Sequence, residues 1–197
     1  MARQIRMART SDAAQIQAIY APIVRDTTIS FEEEPPTVDE TARRIAGTLP
    51  THPYLVCEED GGIVGYICGS THRARAAYRW SVDTTIYVDG RSRRSGVGRA
   101  LYEALVPILR RQGFHSAFAG IALPNAGSVG LHEALGFRSV GVYQEVGFKH
   151  GRWRDVGWWR LALSEGPPAS DPIAFADLAD EAEALIRKVQ AGRDVLA

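Results

Sequence analysis

Arg93-Arg94-Ser95-Gly96-Val97-Gly98-Arg99 is the stretch on which the reading of this chain turns. Before it runs Val82-Asp83-Thr84-Thr85-Ile86-Tyr87-Val88, apolar and rich in β-branched residues, the composition of a strand. After it runs Ala100-Leu101-Tyr102-Glu103-Ala104-Leu105-Val106, the composition of a helix. A strand, a basic Gly-rich turn and a helix together form an arrangement that takes phosphate. Small residues let the backbone approach the ligand, and the first free N–H groups of the helix point at the anion. The arginines add charge-assisted contacts. Two common phosphate loops are excluded. No Gly-Lys-Ser/Thr ending is present, so this is not a Walker A loop. Leu101 stands where a dinucleotide fingerprint needs a third small residue. Taken alone, the segment reads equally well as a helix N-terminus with a solvated basic turn.

Composition narrows the classes around this loop. A chain of 197 residues is most simply one domain with a single good core. Its 23 basic and 23 acidic residues cancel, which removes the case for a general nucleic-acid or anionic-membrane surface. No apolar run approaches the ~20 residues of a membrane span. The start, Met1-Ala2-Arg3-Gln4-Ile5-Arg6, lacks an apolar core segment, so no secretory signal is expected and the cytoplasm is the expected compartment. Cys57 and Cys68 fall in expected strands without metal-type spacing and read as two buried thiols.

Along the chain, Ile5 to Ala8 reads as a short strand. Thr10 or Ser11 then caps a helix with Ile16, Ile19, Tyr20 and Ile23 on one face, its last turn put in doubt by Pro22. Thr37-Val38-Asp39-Glu40 forms a capping box for a second helix ending near Gly47. Tyr54 to Glu58 and Ile63 to Ser70 alternate like a hairpin, and Trp80 to Val88 is the next strand. Gly96 to Gln112 is a long helix in which Pro107 is expected to introduce a kink. A strand at Ser116 to Ala122, a helix at Asn125 to Leu135, and strands at Phe137 to Tyr143 and Asp155 to Leu163 complete the body. Strands outnumber helices early and alternate with them late, which gives an α+β class with a central twisted mixed sheet.

The composition changes after Ser164. Residues 1–164 read as one domain. Residues 165–197 read as a Pro-rich linker followed by an amphipathic helix, with Phe175, Leu178, Ala182, Leu185, Ile186 and Val189 at helical spacing. Such a helix docks on its own domain or a dimer partner, remains a disordered tail, or binds a separate partner.

Several separated motifs resemble one family in the right order. The Arg-x-x-Gly-x-Gly loop resembles the acetyl-CoA pyrophosphate loop of GCN5-related N-acetyltransferases. Thr28–Pro35, Arg75–Val88, Leu131–Phe137 and Lys149–Gly157 resemble the phosphinothricin N-acetyltransferase family, over roughly residues 4–163. The resemblance implies the GCN5-related fold, whose sheet splays near its middle to admit the pantetheine arm. It implies acetyl-CoA as donor, no metal, and a homodimer. The loop Arg93, Arg94, Ser95, Gly96, Val97, Gly98 and Arg99 would bind pyrophosphate. Amides around Ile86, Tyr87 and Val88 would meet the pantetheine and the acetyl oxygen. Asn125 and Ser128 join the cofactor set, although Asn125 is equally a helix cap.

Asp83 is the candidate base, a carboxylate in an otherwise apolar and hydroxyl-bearing strand. The family carries Glu there, one methylene longer. A carboxylate near 3.9 is about four pK units below a peptide α-amine, so burial or relayed water must close the gap. His132 is the candidate acid for the departing thiolate, or a structural imidazole. For the acceptor, the resemblance favours Arg75 and Tyr78, with Phe31 lining the pocket. Lys149, Trp153 and the Trp158-Trp159 pair are further candidates to close it, though core or interface packing suits the tryptophans. Arg73, Arg79, Arg91 and Arg152 read as solvated charge.

The expected activity is direct acetyl transfer, in a ternary complex, to the α-amine of a phosphinothricin- or methionine-sulfoximine-like compound. Transfer to another small amine or a peptide N-terminus is the nearest rival. A silent acyl-CoA-binding sensor is the rival from another class.

Overall fold

The computed structural model describes residues 3–194. Seven strands form one mixed sheet. They are β1 (Arg3–Met7), β2 (Tyr54–Glu59), β3 (Gly62–Thr71), β4 (Ser81–Val88), β5 (Ser116–Ala122), β6 (Arg138–Lys149) and β7 (Arg152–Ala162), in spatial order β1-β2-β3-β4-β5-β7-β6. Neighbours are antiparallel except β4 and β5, which are parallel. Parallel neighbours need a crossover, and α3 (Val97–Gln112) supplies it.

Side-chain alternation divides the core into two layers. On one face Leu55, Cys57 and Ile67 pack with Leu101, Leu105, Ile108 and Leu109 of α3. On the other, Tyr54, Val56 and Tyr66 pack with Ile16, Ile19, Tyr20 and Val24 of α1 (Ala13–Asp26) and Ile45 of α2 (Val38–Thr48). Thr37 caps α2 by accepting the amide of Glu40 at 3.1 Å. The other half of the expected box is not made, because Glu40 turns to Arg44 instead. The acceptor ahead of α1 is neither Thr10 nor Ser11 but Asp12, which takes the amide of Arg9 at 2.8 Å and pairs with Arg6.

The doubt that Pro22 casts on the end of α1 is not realised. Helix α1 continues past Pro22 to Asp26, and α3 spans Pro107 as expected. The buried Ile23 and Val24 hold the end of α1 on the core, and the Thr27 hydroxyl closes it by donating to the carbonyl of Ile23. Packing outweighs the one lost hydrogen bond. The last two strands also differ from expectation, since they run through residues 144–154 as a long hairpin. His150 and Gly151 turn it with φ of 51° and 72°, the positive pair that suits a two-residue hairpin turn.

The chain beyond Ser164 docks on its own body. Phe175, Leu178, Ala182 and Ile186 are buried, the last two on α5 (Ala179–Asp194). The carboxamide of Gln112 donates to the carbonyls of Thr51 and Ile173, and Arg111 pairs with Glu181. Fully burying one such Phe, Leu or Ile side chain contributes about 1.5–3 kcal/mol.

Strands β4 and β5 pair only from Ser81 to Asp83 against Ser116 to Phe118. Beyond that point they part, while β4 stays paired to β3 as far as Val88. The whole candidate site is organised around this divergence.

Candidate active site

Where the strands part, a slot of about 90 Å³ opens. Thr84, Ile86 and Tyr87 form one wall, Gly120 and Ile121 the other, and Asn125, Ser128 and His132 close it from the helix α4 (Ala126–Ala134) and its cap. Alternate amides of Thr84–Val88 that do not bond β3 face away from it, without a β5 partner. They offer donors to an extended ligand.

Strand β4 leads to the basic loop. Arg94 and Gly96 have positive φ, 62° and 85°, and Gly96 begins α3 with no side-chain cap on the first amides. Those N–H groups are available to an anion. Arg93, Arg94 and Arg99 are exposed, and Arg3 anchors the turn by donating to the carbonyl of Ser95 at 2.8 Å. A Cβ on Gly98 would lie 2.9 Å from Leu131, so glycine lets α3 approach α4 closely. Val97 is buried in the core.

His132 is 2% exposed. Its Nδ1 is 2.7 Å from the carbonyl of Ser128, which only accepts, so Nδ1 carries the proton. Nε2 then accepts from the hydroxyl of Tyr102 at 2.7 Å. The hydroxyl of Thr84 is 2.9 Å from that of Tyr102 and 3.1 Å from the carbonyl of Phe118. Burial pushes the imidazole below its ordinary value and the Tyr102 phenol above its own. His132 is thus held neutral with both nitrogens committed. Asn125 caps α4 through the amide of Ser128 and also lines the slot.

Asp83 points to the other face of β4. Its Oδ1 accepts from Nδ1 of His72 at 2.6 Å. Burial raises the carboxyl, and the His72 contact pulls it partly back. His72 stacks on Phe118 with ring centres 4.5 Å apart. It lines a second cavity of about 300 Å³, together with Arg73, Phe118, Val142, Tyr143 and Trp158. Sequence reasoning missed His72, which lies in a loop eleven residues before Asp83. The register Ser70↔Asp83 and Thr71↔Val82 is what brings it alongside.

Other expectations need adjustment. Arg73 is not merely solvated charge, because its guanidinium lies 5.5 Å from the ring centre of Trp158 on the cavity wall. Arg79 covers Trp80 and pairs with Asp171. Tyr78 touches His72 edge-on with centres 5.9 Å apart, and Arg75 is exposed in the same turn. Phe31 is partly exposed and presses on Gly147, where a Cβ would clash with its ring. Lys149 does not close a pocket. It is buried, and its Nζ donates to the carbonyls of Val24, Ser30 and Glu32 at 2.6–2.8 Å, pinning the loop that carries Phe31. Trp159 is core, Trp158 lines the cavity and Trp153 is exposed. Burial pushes the Cys68 thiol up to about 12. Among the described residues no cluster of His, Cys, Asp and Glu is arranged to hold a metal ion.

Comparison with known proteins agrees with this geometry. The acetyltransferase (GNAT) domain family matches residues 5–158. A phosphinothricin N-acetyltransferase of Streptomyces viridochromogenes is 39% identical, over 80% of this chain and 86% of its own. An L-methionine sulfoximine/L-methionine sulfone acetyltransferase of Salmonella typhimurium is 36% identical, over 82% of this chain and 95% of its own. The crystal structure of a Sinorhizobium meliloti phosphinothricin acetyltransferase in complex with acetyl-CoA superposes with a TM-score of 0.81 at 35% identity, covering 88% of this chain and 94% of that one. The chain belongs to the GNAT acetyltransferases. Among them it is a member of the phosphinothricin N-acetyltransferase family.

Proposed function

We propose that this protein transfers the acetyl group of acetyl-CoA to the α-amine of a small glutamate- or methionine-like compound, of the phosphinothricin or methionine sulfoximine type. The observation that carries the reading is the slot between β4 and β5, with unpaired amides on one wall and an uncapped basic helix start at the end of the same strand. Amides around Ile86, Tyr87 and Val88 bind the pantetheine and polarise the thioester carbonyl. The loop from Arg93 to Arg99 takes the pyrophosphate, and Asn125 and Ser128 bound the arm from α4.

The acceptor occupies the side of β4 that carries Asp83. A carboxylate there calls for guanidinium donors, and Arg73 and Arg75 supply them beside Tyr78, with Phe31 at the edge. Asp83 is the carboxylate that drives loss of the amine's proton. Transfer is direct, in a ternary complex, since a thiol as weakly acidic as that of Cys68 is a poor acyl carrier. His132 contributes by fixing the polar floor of the slot. Supplying a proton to the thiolate would require it first to exchange one of its two hydrogen bonds.

A homodimer fits the edge strand β6, which exposes Val140, Val142, Tyr143, Val146 and Phe148, with Trp153 beside them on β7. Val142 and Tyr143 also wall the acceptor cavity, so a second copy seated there helps to enclose it. Two thiols outside any disulfide suit the cytoplasm.

The test is amine-dependent thiol release from acetyl-CoA at about pH 8, where a peptide-like α-amine is roughly half unprotonated. The panel holds phosphinothricin, methionine sulfoximine, methionine sulfone, the common amino acids, a polyamine and a short peptide. Release with the glutamate- and methionine-like compounds is expected. Release confined to the polyamine or peptide would transfer the assignment to them, and none with any amine would leave a binding protein.

A further inference from the structure

We propose that the atom which takes the amine's proton is Nε2 of His72, with Asp83 as its positioning partner. The inference rests on the acetyltransferase reading and deepens it.

Three observations carry it. The bond from His72 Nδ1 to the Asp83 carboxylate, 2.6 Å long, fixes the tautomer with Nε2 bare, and Nε2 has no hydrogen-bond partner among the described residues. His72 lines the 300 Å³ cavity, whereas Asp83 is not among the residues that line it. The ring is also held in place before any ligand arrives. It stacks on Phe118 at an interplanar angle of 17°, and Tyr78 and Trp158 meet it edge-on. The carboxylate thus reaches the cavity through an imidazole.

The chemistry favours the same atom. A free aspartate lies about four pK units below a peptide α-amine, and a free imidazole little more than one. By residue type an imidazole is the better matched proton acceptor for an amine, and a carboxylate 2.6 Å from its other nitrogen stabilises the imidazolium that results. Around the ring the titratable and charged groups are Asp83 on β4, Arg73 on the adjoining turn, Tyr78 after it and Tyr143 across the cavity.

The step balances without a further reactant. The ammonium gives one proton to Nε2. The freed nitrogen lone pair attacks the thioester carbonyl carbon, and the new C–N bond places negative charge on oxygen, facing the β4 amides. Collapse breaks the C–S bond. The departing thiolate takes the second proton from the acylated nitrogen, giving the amide and CoA thiol. The imidazolium returns its proton to water.

The test uses the full chain with His72→Ala and His72→Gln, assayed by thiol release with the best amine of the panel. Both variants should lose about 10²–10⁴ in kcat, the range of a general base, with the KM for acetyl-CoA changed less than about threefold. Added imidazole should restore the Ala variant at least about tenfold and saturably, since the deleted ring leaves room for it, and should not restore the Gln variant. His72→Gln keeps a polar side chain beside Asp83, so it reports on base strength if the Ala variant folds poorly. A kcat within about threefold of wild type in either variant would overturn the assignment, as would a loss in folded His72→Ala that imidazole does not reverse. If the wild type releases no thiol with any amine, the acetyltransferase reading fails and this inference falls with it. An active wild type whose His72 variants are equally active sinks the inference alone.

Discussion

Asp83 and Thr84 are neighbours on β4, and the pleat sends them to opposite faces, each into a histidine network. On one face Thr84 meets Tyr102, Tyr102 meets His132, and His132 ends on the carbonyl of Ser128. On the other, Asp83 meets His72 and the chain stops, with a ring nitrogen bare on a cavity. The first imidazole is saturated with partners and buried. The second has one partner and a clear route to a ligand. The residue type is the same, but one network is a strut and the other can move a proton. The number of unsatisfied ring nitrogens separates them, and it was the sealed histidine that drew attention in the sequence.

The largest effect that would test this division comes from Asp83→Asn. An amide nitrogen offered to Nδ1 would favour the other tautomer and place a proton on Nε2, disabling the acceptor. kcat should fall about 10²–10⁴ with acetyl-CoA binding retained. Steady-state thiol release checks it, and a near-wild-type rate would remove Asp83 from the mechanism.

His132→Leu probes the strut. The imidazole's two hydrogen bonds, with the Tyr102 hydroxyl and the Ser128 carbonyl, would be lost, each worth about 0.5–1.5 kcal/mol net, while Thr84 stays beside that hydroxyl. Urea unfolding should show that loss, while kcat stays within about tenfold of wild type. A hundredfold fall in kcat with the fold intact would make His132 the acid after all and dissolve the contrast.

What the sequence made legible follows the same division. The phosphate loop, the strands flanking it and the start of α3 were readable because glycine, charge and alternation coincide there. The hairpin through residues 144–154 was not. A bulge between Tyr143 and Gly147, with Glu145 at φ 48°, breaks the alternation that marks a strand. Asp83 stood out as a charge in an apolar strand, but His72 needed the β3–β4 register to be seen. Tyr102 sits inside the helical stretch after the phosphate loop, where nothing local marks it as the partner of His132. Lys149 looked like a site cation because three carbonyls converging on a buried ammonium leave no local trace in a sequence.

A smaller effect is expected from Tyr102→Phe. The hydroxyl bonds one neutral nitrogen and one hydroxyl, and its removal leaves Nε2 of His132 an orphan acceptor. A neutral hydrogen bond nets about 0.5–1.5 kcal/mol, so the midpoint of urea unfolding should shift by that amount divided by the m-value. A stability change without a matching change in kcat would keep Tyr102 with the strut. A pH-dependent loss of kcat would show that the phenol relays protons.

The smallest effect is a slope. The folded value of His132 lies below that of a free imidazole, so as pH falls the unfolded chain takes the proton first. Stability should therefore be lost as pH drops below about 6.5, by at most about 1.4 kcal/mol per pH unit from this group. His52, also lowered by burial, adds a loss of the same sign. Asp12 and Glu32, held low by Arg6 and Arg44 against the opposing effect of burial, lose their contribution only below the ordinary carboxylate range. Urea unfolding at pH 7.5 and 5.5 in wild type and His132→Leu separates the terms, because the variant keeps His52 and the carboxylates. The wild type should lose more stability than the variant between those two values. Equal losses would mean that His132 accepts a proton in the folded chain as readily as in the unfolded one. The sealed network would then not keep protons from the ring.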